Sequence, residues 1–476
     1  MSIERSVAQA TSGSNGRGQP AEGPEAVLGA LKAGEIDTVI VGGSDLDGIF
    51  RAKRIPAERF LASEQPKVEF SEYIIVMDIE EVALPEPKGY PHRWPDWGTG
   101  FGDIVLRVDM ETLRRVPWLE RTALALGNYY YESGEQIEVA PRNVLCRVID
   151  RIEAIGLKPR FATEFEFHVF RETEPTAMTK GIDGIEALAS RPMAYGAIQS
   201  SLDDRVIGPI VKHLKGLRVP VEAWAPEGGR GQYELNLYHA AALEAADQGF
   251  LFKHSVKELC AMQDMTATFM PKIFGDGFGS SLHVHQSLWR EDGSSAFFDA
   301  NCEDRMSPTM RQFVAGQLQT LSELTVMMLP TPTAYKRLVP YSAVGTTESW
   351  GWDNKSLSLR ALTHGASGCR VEHRVPGADA SPYIVLAAML AGGLHGIENE
   401  LELSPPTIGD AYSDPGLKQL PGSLHEAVSL FEGSSVARTY LGEEFVDFYA
   451  AKRRWEADQM AKAVTDWEFR RYFSRA

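Results

Sequence analysis

Four short segments place carboxylates and imidazoles two residues apart. In Thr163-Glu164-Phe165-Glu166-Phe167 an extended backbone puts both glutamates on one face and both phenylalanines on the other. Gly231-Gln232-Tyr233-Glu234-Leu235 repeats the pattern, with Glu227 seven residues before Glu234. Leu282-His283-Val284-His285 aligns two imidazoles. Val371-Glu372-His373-Arg374-Val375 aligns a carboxylate with a guanidinium and turns His373 to the opposite face, between valines. Taken singly, each alternation also describes a solvated sheet face. Sharing one sheet, the segments would bring as many as five carboxylates together, and directly opposed like charges are destabilising. Bound cations remove that repulsion. Oxygen-rich ligation with one or two imidazoles and no thiolate suits magnesium or manganese better than zinc.

A set of cations, Arg337, Lys355, Arg360, Arg370 and Arg374, accompanies the acids. Arginine suits bidentate recognition of carboxylate and phosphate. Metals and arginines together point to phosphoryl chemistry, where the protein positions groups and neutralises charge. No G-x-x-x-x-G-K-[ST] run is present, which excludes a P-loop. The glycine clusters near 98–102 and 275–279 lack the strand-then-helix context of a dinucleotide fingerprint.

Positioning these residues requires strands of period two backed by helices of period 3.6. Pro141 opens a helix through PRNVLCRVIDRIEAIGL, and amphipathic helices are predicted over 243–269, 309–328 and 382–398. Before them, IDTVIVGGSDLDG reads as strand and turn, EYIIVMDIEEVAL as a second strand, and IVLRVD as a third. A loop rich in Pro, Gly and Trp spans Pro85 to Asp103. The expected organisation is a disordered tail over 1–23, a small α+β domain over 24–137 and a larger domain over 138–476. With 476 residues and 43% hydrophobic residues the chain can bury a large core. A net charge of −17 argues against nucleic acid or an anionic membrane as the main partner. The four cysteines are scattered, the longest apolar stretch (Tyr383 to Leu394) is too short to cross a bilayer, and no secretory signal opens the chain. A cytoplasmic protein is expected.

In order and spacing, EFEF, EGGRGQYELN, GSSLHVHQS, AYKRLVP, DNKSLSLR, CRVEHRVPGADASPY and the C-terminal VTDWEFRRYF resemble the glutamine synthetase superfamily over nearly the whole chain after the tail. The resemblance implies an α+β fold: a small β-grasp-like N-terminal domain and a large catalytic domain with a curved antiparallel sheet and surrounding helices. It implies stacked, dodecamer-like rings with active sites between subunits. It also implies ATP and two to three magnesium or manganese ions. Glu166, Glu227 and Glu234 would hold the metal on the glutamate and amine side, and Glu164, His283 and Glu372 the metal facing the ATP phosphates. His285, Ser287 and Arg370 look like nucleotide contacts. Arg337 and Arg374, with the Gly279 backbone and Glu166, look like the glutamate site. Arg360 and Lys355 would stabilise the transferring phosphoryl group; lysine at 355, where arginine is usual, keeps the charge and loses the fork. The implied reaction phosphorylates the glutamate γ-carboxylate with ATP and then displaces phosphate with a neutral amine.

Three departures bear on the nucleophile. Ala343 stands where ammonia-using members carry a glutamate on a mobile loop. The aspartate-bearing D-G-S-S loop is replaced by the stretch from Trp94 to Asp103, and Phe278 replaces the usual asparagine before Gly279. These changes remove charge partners for ammonium and add apolar surface, which resembles the glutamate–amine ligase branch acting on ethanolamine, polyamines, alkylamines or anilines. Ala343, Phe278, Trp94, Trp97 and Asp103 are the amine-pocket candidates. Asp96 or Glu348 would serve a polyamine, and Phe101, Trp350 or Trp352 an aromatic amine, with a hydrophobic or aromatic primary amine favoured. The rival readings are a glutamine synthetase using ammonia, a catalytically silent structural or regulatory homologue, and a ligase acting on another acid.

Overall fold

The computed structural model describes residues 22–476. The disordered tail expected over 1–23 therefore lies almost wholly outside the described residues. Two sheets organise the rest. The first contains β1 (Thr38–Ser44), β2 (Phe50–Pro56), β3 (Lys67–Ser71), β4 (Asp103–Val108), β5 (Arg114–Arg115) and β6 (Thr122–Tyr131). Its order is β2-β1-β6-β4-β3, with β1 and β6 parallel, β5 on β6, and the remaining pairs antiparallel.

The second sheet contains β7 (Leu157–Phe170), β8 (Val221–Pro226), β9 (Gln232–Leu237), β10 (Ala240–Ala241), β11 (Thr266–Thr268), β12 (Leu282–Arg290), β13 (Trp350–Trp352), β14 (Leu359–Leu362) and β15 (Arg370–His373). Its order is β13-β14-β15-β12-β7-β9-β8, and β10 and β11 also pair with β7. All pairs are antiparallel except β13 with β14. This is the expected α+β architecture, with one parallel edge pair added to the antiparallel catalytic sheet.

Alternation along β7 does what its sequence requires. Phe161, Phe165, Phe167 and Val169 are buried, and Phe165 stacks on Phe252 with centroids 5.0 Å apart. Glu164 and Glu166 stay half-buried on the other face. Behind the sheet, the helices Pro308–Met328 and Pro382–Glu398 pack closely where glycines meet. A Cβ on Gly316 would lie 2.6 Å from the Gly396 Cα. Helix Pro141–Ala154 starts at its proline and buries Val144, Leu145, Val148 and Ile152. Arg142, on that helix, donates to Asp247 (2.9 Å) and to Asp109 (2.7 Å), tying the first sheet's loops to the larger half. Asp47 is bound from helix Glu443–Lys462 by Lys452 (2.8 Å) and Arg453, whose charges overcome burial and lower its pKa to about 2.

Two predicted elements are corrected. Residues 72–84 form no strand; they make a helical turn (Tyr73–Val76) closed by a single bridge between Met77 and Ala83. A short apolar run fits either period, and the Asp78-Ile79-Glu80-Glu81 turn interrupts this one. The helix expected over 243–269 is Ala242–Ala261, and Asp264 at φ 56° turns the chain into β11. Helices Pro308–Met328 and Pro382–Glu398 match expectation. Among the described residues no helix is long and apolar enough to cross a membrane.

Candidate active site

Sheet register brings the four segments together. Glu166 on β7 pairs with Glu234 on β9, and Glu164 pairs with His283 on β12. His285 pairs with Glu372 on β15, which pairs in turn with Arg360 on β14. His373 is 2% exposed on the opposite face, where burial lowers its imidazole pKa to about 3.

The electrostatics divide into two halves. Burial alone would raise the pKa of Glu164, but His283 Nδ1 at 2.8 Å and His285 Nε2 at 3.7 Å hold it well below the carboxylate range. Glu372, 2% exposed, accepts from Arg360 Nη1 at 2.7 Å and from Arg374, and lies 3.9 Å from His283. These cations overcome its burial and hold it at about 2. Glu234 behaves oppositely: burial, then the charges of Glu164, Glu166 and Glu227, push it up to about 9. Glu227 is also raised, by burial and then by Glu166. The Glu227–Glu234 half thus carries more carboxylate than its surroundings neutralise.

No three His, Cys, Asp or Glu side chains among the described residues already stand in a metal-ligating arrangement. Glu164 and Glu372 are instead drawn onto His283, Arg360 and Arg374. The chemistry of the set still fits a hard divalent cation. Glu234 faces three further carboxylates, and His283 Nε2 is a buried nitrogen with no hydrogen-bond partner.

Beside Glu164 opens a cavity of about 510 Å³, lined by Arg160, His285, Ser287, Trp289, Arg360 and Arg370. Arg370 Nε donates to His285 Nδ1 at 3.2 Å, and Trp289 Nε1 donates to Ser287 Oγ at 3.0 Å. Polar and cationic walls with one indole suit a nucleotide.

Across the cluster, Arg337 (1% exposed) runs over Gly279, where a Cβ would lie 2.6 Å from the Pro271 carbonyl and collide with the arginine stem. Its guanidinium donates to Ser281 Oγ at 3.0 Å and to the Val375 carbonyl, and burial lowers its pKa to about 10. Arg374 donates to the Ala343 carbonyl at 2.9 Å, placing residue 343 beside the cluster. Phe278, 48% exposed, lies against Gly228, the neighbour of Glu227; a Cβ there would meet its ring at 2.9 Å.

Several candidates lie elsewhere. Trp94 is 4% exposed, stacks on Phe448 at 4.6 Å and donates to the Leu84 carbonyl, so it is core and not pocket lining. Trp350 is likewise buried, its indole donating to the Ser404 carbonyl. Glu348 is held by Lys418 at 2.6 Å and by Ser322. Asp96 caps its own turn through the Thr99 N–H. Trp97 and Asp103 are exposed in the first half, where Trp97 meets only Phe101 among the described aromatic contacts. Lys355 is itself exposed, on the loop before β14 that borders the site through Asp353, which accepts from Arg360 at 3.0 Å.

Other, neutral residues meet the cluster without having been site candidates in the sequence. Gln232 donates to the Gly279 carbonyl (2.9 Å), and Asn236 donates to Glu164 (2.7 Å). Tyr195, at φ 56°, is fixed through its N–H to the Pro226 carbonyl. Its phenol pKa is raised by partial burial and then by the charges of Glu234 and Glu227.

The family model "Glutamine synthetase, catalytic domain" matches residues 138–472. A glutamate–isopropylamine ligase of a Pseudomonas species is 36% identical over 440 residues, 92% of this chain and 95% of that one. A gamma-glutamylethanolamide synthetase of Streptomyces coelicolor is 35% identical, covering 96% of each chain. The solved GmaS–ADP complex superposes with a TM-score of 0.81 at 26% identity, covering 94% of this chain and 99% of that one.

Proposed function

The chain belongs to the glutamine synthetase family of ATP-dependent glutamate ligases, and from that premise we propose that it is a glutamate–amine ligase whose nucleophile is a primary amine larger than ammonia. The observation that carries the proposal is the site border at Ala343 and Phe278. The loop beside the cluster carries alanine at 343, its carbonyl held by Arg374, so residue 343 offers no carboxylate to an ammonium ion, and an exposed phenyl ring lies against Gly228. A small, strongly hydrated cation gains nothing from these groups, whereas an alkyl or aryl amine buries its body on them. Relatives that take isopropylamine and ethanolamine support this reading.

In this reading the nucleotide occupies the cavity beside β12, with Arg370, His285 and Ser287 on the purine and ribose side. Glu166, Glu227 and Glu234 would hold one magnesium or manganese ion, and Glu164, His283 and Glu372 a second. Such ions supply charge neutralisation and Lewis acidity at the phosphates. Arg374 and Arg337, with the Gly279 backbone, orient glutamate so that its γ-carboxylate attacks the γ-phosphorus. The products of this step are γ-glutamyl phosphate and ADP. Arg360, which already bridges Asp353 at 3.0 Å and Glu372, offers its fork to the transferring group, with Lys355 as a point charge. A neutral amine then attacks the acyl carbon and phosphate leaves. The departing phosphate can take the proton that the amine loses. We take the catalytic domain as 138–476 and the small domain as 24–137, and we propose stacked rings whose neighbouring subunits bring Trp97 and Asp103 to the site.

The test is phosphate release from ATP with glutamate and magnesium against ammonium, ethanolamine, putrescine, spermine, isopropylamine and aniline. Turnover with an organic amine well above that with ammonium is expected. Turnover with ammonium alone would make the protein a glutamine synthetase and overturn the reading.

A further inference from the structure

The segment Gly409–Tyr412, in the long connection after helix Pro382–Glu398, touches two loops that border the site. The Tyr412 hydroxyl donates to the Val344 carbonyl at 2.9 Å, and its ring lies 5.1 Å from that of Tyr341. The Tyr341 hydroxyl donates to Asp410 Oδ2 at 3.3 Å. From the other loop, Asn354 Nδ2 donates to the Gly409 carbonyl at 2.6 Å, and the Ala411 N–H donates to Ser356 Oγ at 3.2 Å. Asn354 also folds its own loop, because its side-chain oxygen accepts from the Ser356 N–H and hydroxyl. Four residues therefore fasten the loop of Ala343 and the loop of Lys355 together.

The first of these loops needs fastening. Tyr341 (φ 64°) and Ala343 (φ 58°) are both left-handed, a conformation that costs residues with a Cβ and persists only where the surroundings enforce it. Tyr341 is 71% exposed, so burial of its side chain holds little of the loop in place. Enforcement comes instead from Arg374 on the Ala343 carbonyl and from Tyr412 on the next one.

We propose that Gly409–Tyr412 is a clasp that sets the amine-side loop and the phosphate-side loop in one arrangement, with Tyr412 as its central positioning residue. The structural half of this proposal is independent of the substrate; its kinetic half rests on the amine-ligase reading. When the clasp is loosened, γ-glutamyl phosphate meets water before it meets the amine. Water then attacks the acyl carbon, glutamate and phosphate form, and ATP is consumed without amide.

Hydrogen–deuterium exchange on the full-length protein without substrate tests the clasp, using Tyr412→Phe and Asn354→Ala. Tyr412→Phe should speed exchange about fivefold over 339–346 and over 353–358, the effect of one lost neutral hydrogen bond, and leave helix Pro382–Glu398 unchanged. Asn354→Ala, cutting the other side, should also loosen 339–346, because coupling is reciprocal. With the preferred amine, Tyr412→Phe should raise the amine KM and the fraction of phosphate released without amide, with little change in the ATP KM. Faster exchange confined to the loop nearest each substitution would overturn the clasp. So would faster exchange throughout the domain, which would make Tyr412 ordinary packing. If the wild-type enzyme showed no amine-dependent phosphate release, the ligase reading alone would fall, since exchange judges the clasp without substrate.

Discussion

Replacing Glu372 with glutamine keeps the shape of the side chain and an acceptor oxygen but removes the charge between Arg360 and Arg374. Both arginines donate to Glu372, which is 2% exposed, and Arg374 is itself 4% exposed. The glutamine variant therefore leaves a buried guanidinium without its counter-charge. The carboxyl is held at about 2 against an ordinary 4.5. At 1.36 kcal/mol per pH unit that displacement is about 3 kcal/mol, the range expected for breaking a buried pair by removing one partner. Because the folded pKa is depressed, the stabilisation is fully present above pH 4.5 and is lost as pH falls towards 2. A multidomain chain does not unfold in two states, so local opening is the quantity to measure. Native-state hydrogen exchange of β12 and β15 amides, without added metal, should show opening about 3 kcal/mol easier in Glu372→Gln at pH 7. Turnover should fall at least about hundredfold, since the nucleotide-side carboxylate is gone. An opening free energy within about 1 kcal/mol of wild type would refute the ionised pair, and near-normal turnover would refute the metal assignment.

Further predictions concern the other half of the site. Ala343→Glu should shift the ratio of kcat/KM for ammonium over the preferred amine upward by about tenfold, equivalent to about 1.4 kcal/mol; an unchanged amine profile would mean residue 343 does not line the pocket. Gly279→Ala forces a Cβ against the Pro271 carbonyl and the Arg337 stem, so it should raise the glutamate KM more than the ATP KM and cost about 1–3 kcal/mol of stability; equal effects on both substrates would count against the glutamate site. Glu234, raised to about 9, carries its proton at neutral pH, and a cation binding there must displace it. Calorimetric titration of manganese in buffers of different ionisation enthalpy should report about one proton released per ion at that half of the site. Buffer-independent heats would contradict the assignment.

The convergence of the acidic segments on one face was legible because strand periodicity is unambiguous where every second residue is charged. Glu164 and Glu166 could share a face only in an extended chain, and the register then delivered Glu234, His283 and Glu372 beside them. His373 was separable from His283 and His285 for the same reason of parity. Residues outside such alternation carried no signal. Tyr195 sits at a left-handed loop position, whereas Gln232 and Asn236 share the parity of Glu234 but, as neutral amides, are indistinguishable in sequence from solvated residues. Composition misled at Trp94. A tryptophan in a loop rich in Pro and Gly reads as pocket lining, yet Phe448, far along the chain, gives it a core partner that no local pattern announces. The segment 72–84 failed differently, because a short apolar run does not distinguish a helical turn from a strand.

The central claim is that this ligase prefers an organic primary amine to ammonium, and direct competition tests it best. Purified enzyme would be given glutamate, ATP and magnesium with equimolar ammonium and isopropylamine, and the products quantified by mass spectrometry. The account predicts γ-glutamylisopropylamide, or the amide of a larger or aromatic amine substituted in the same format, in clear excess over glutamine. Glutamine as the dominant product against every amine tried would contradict it.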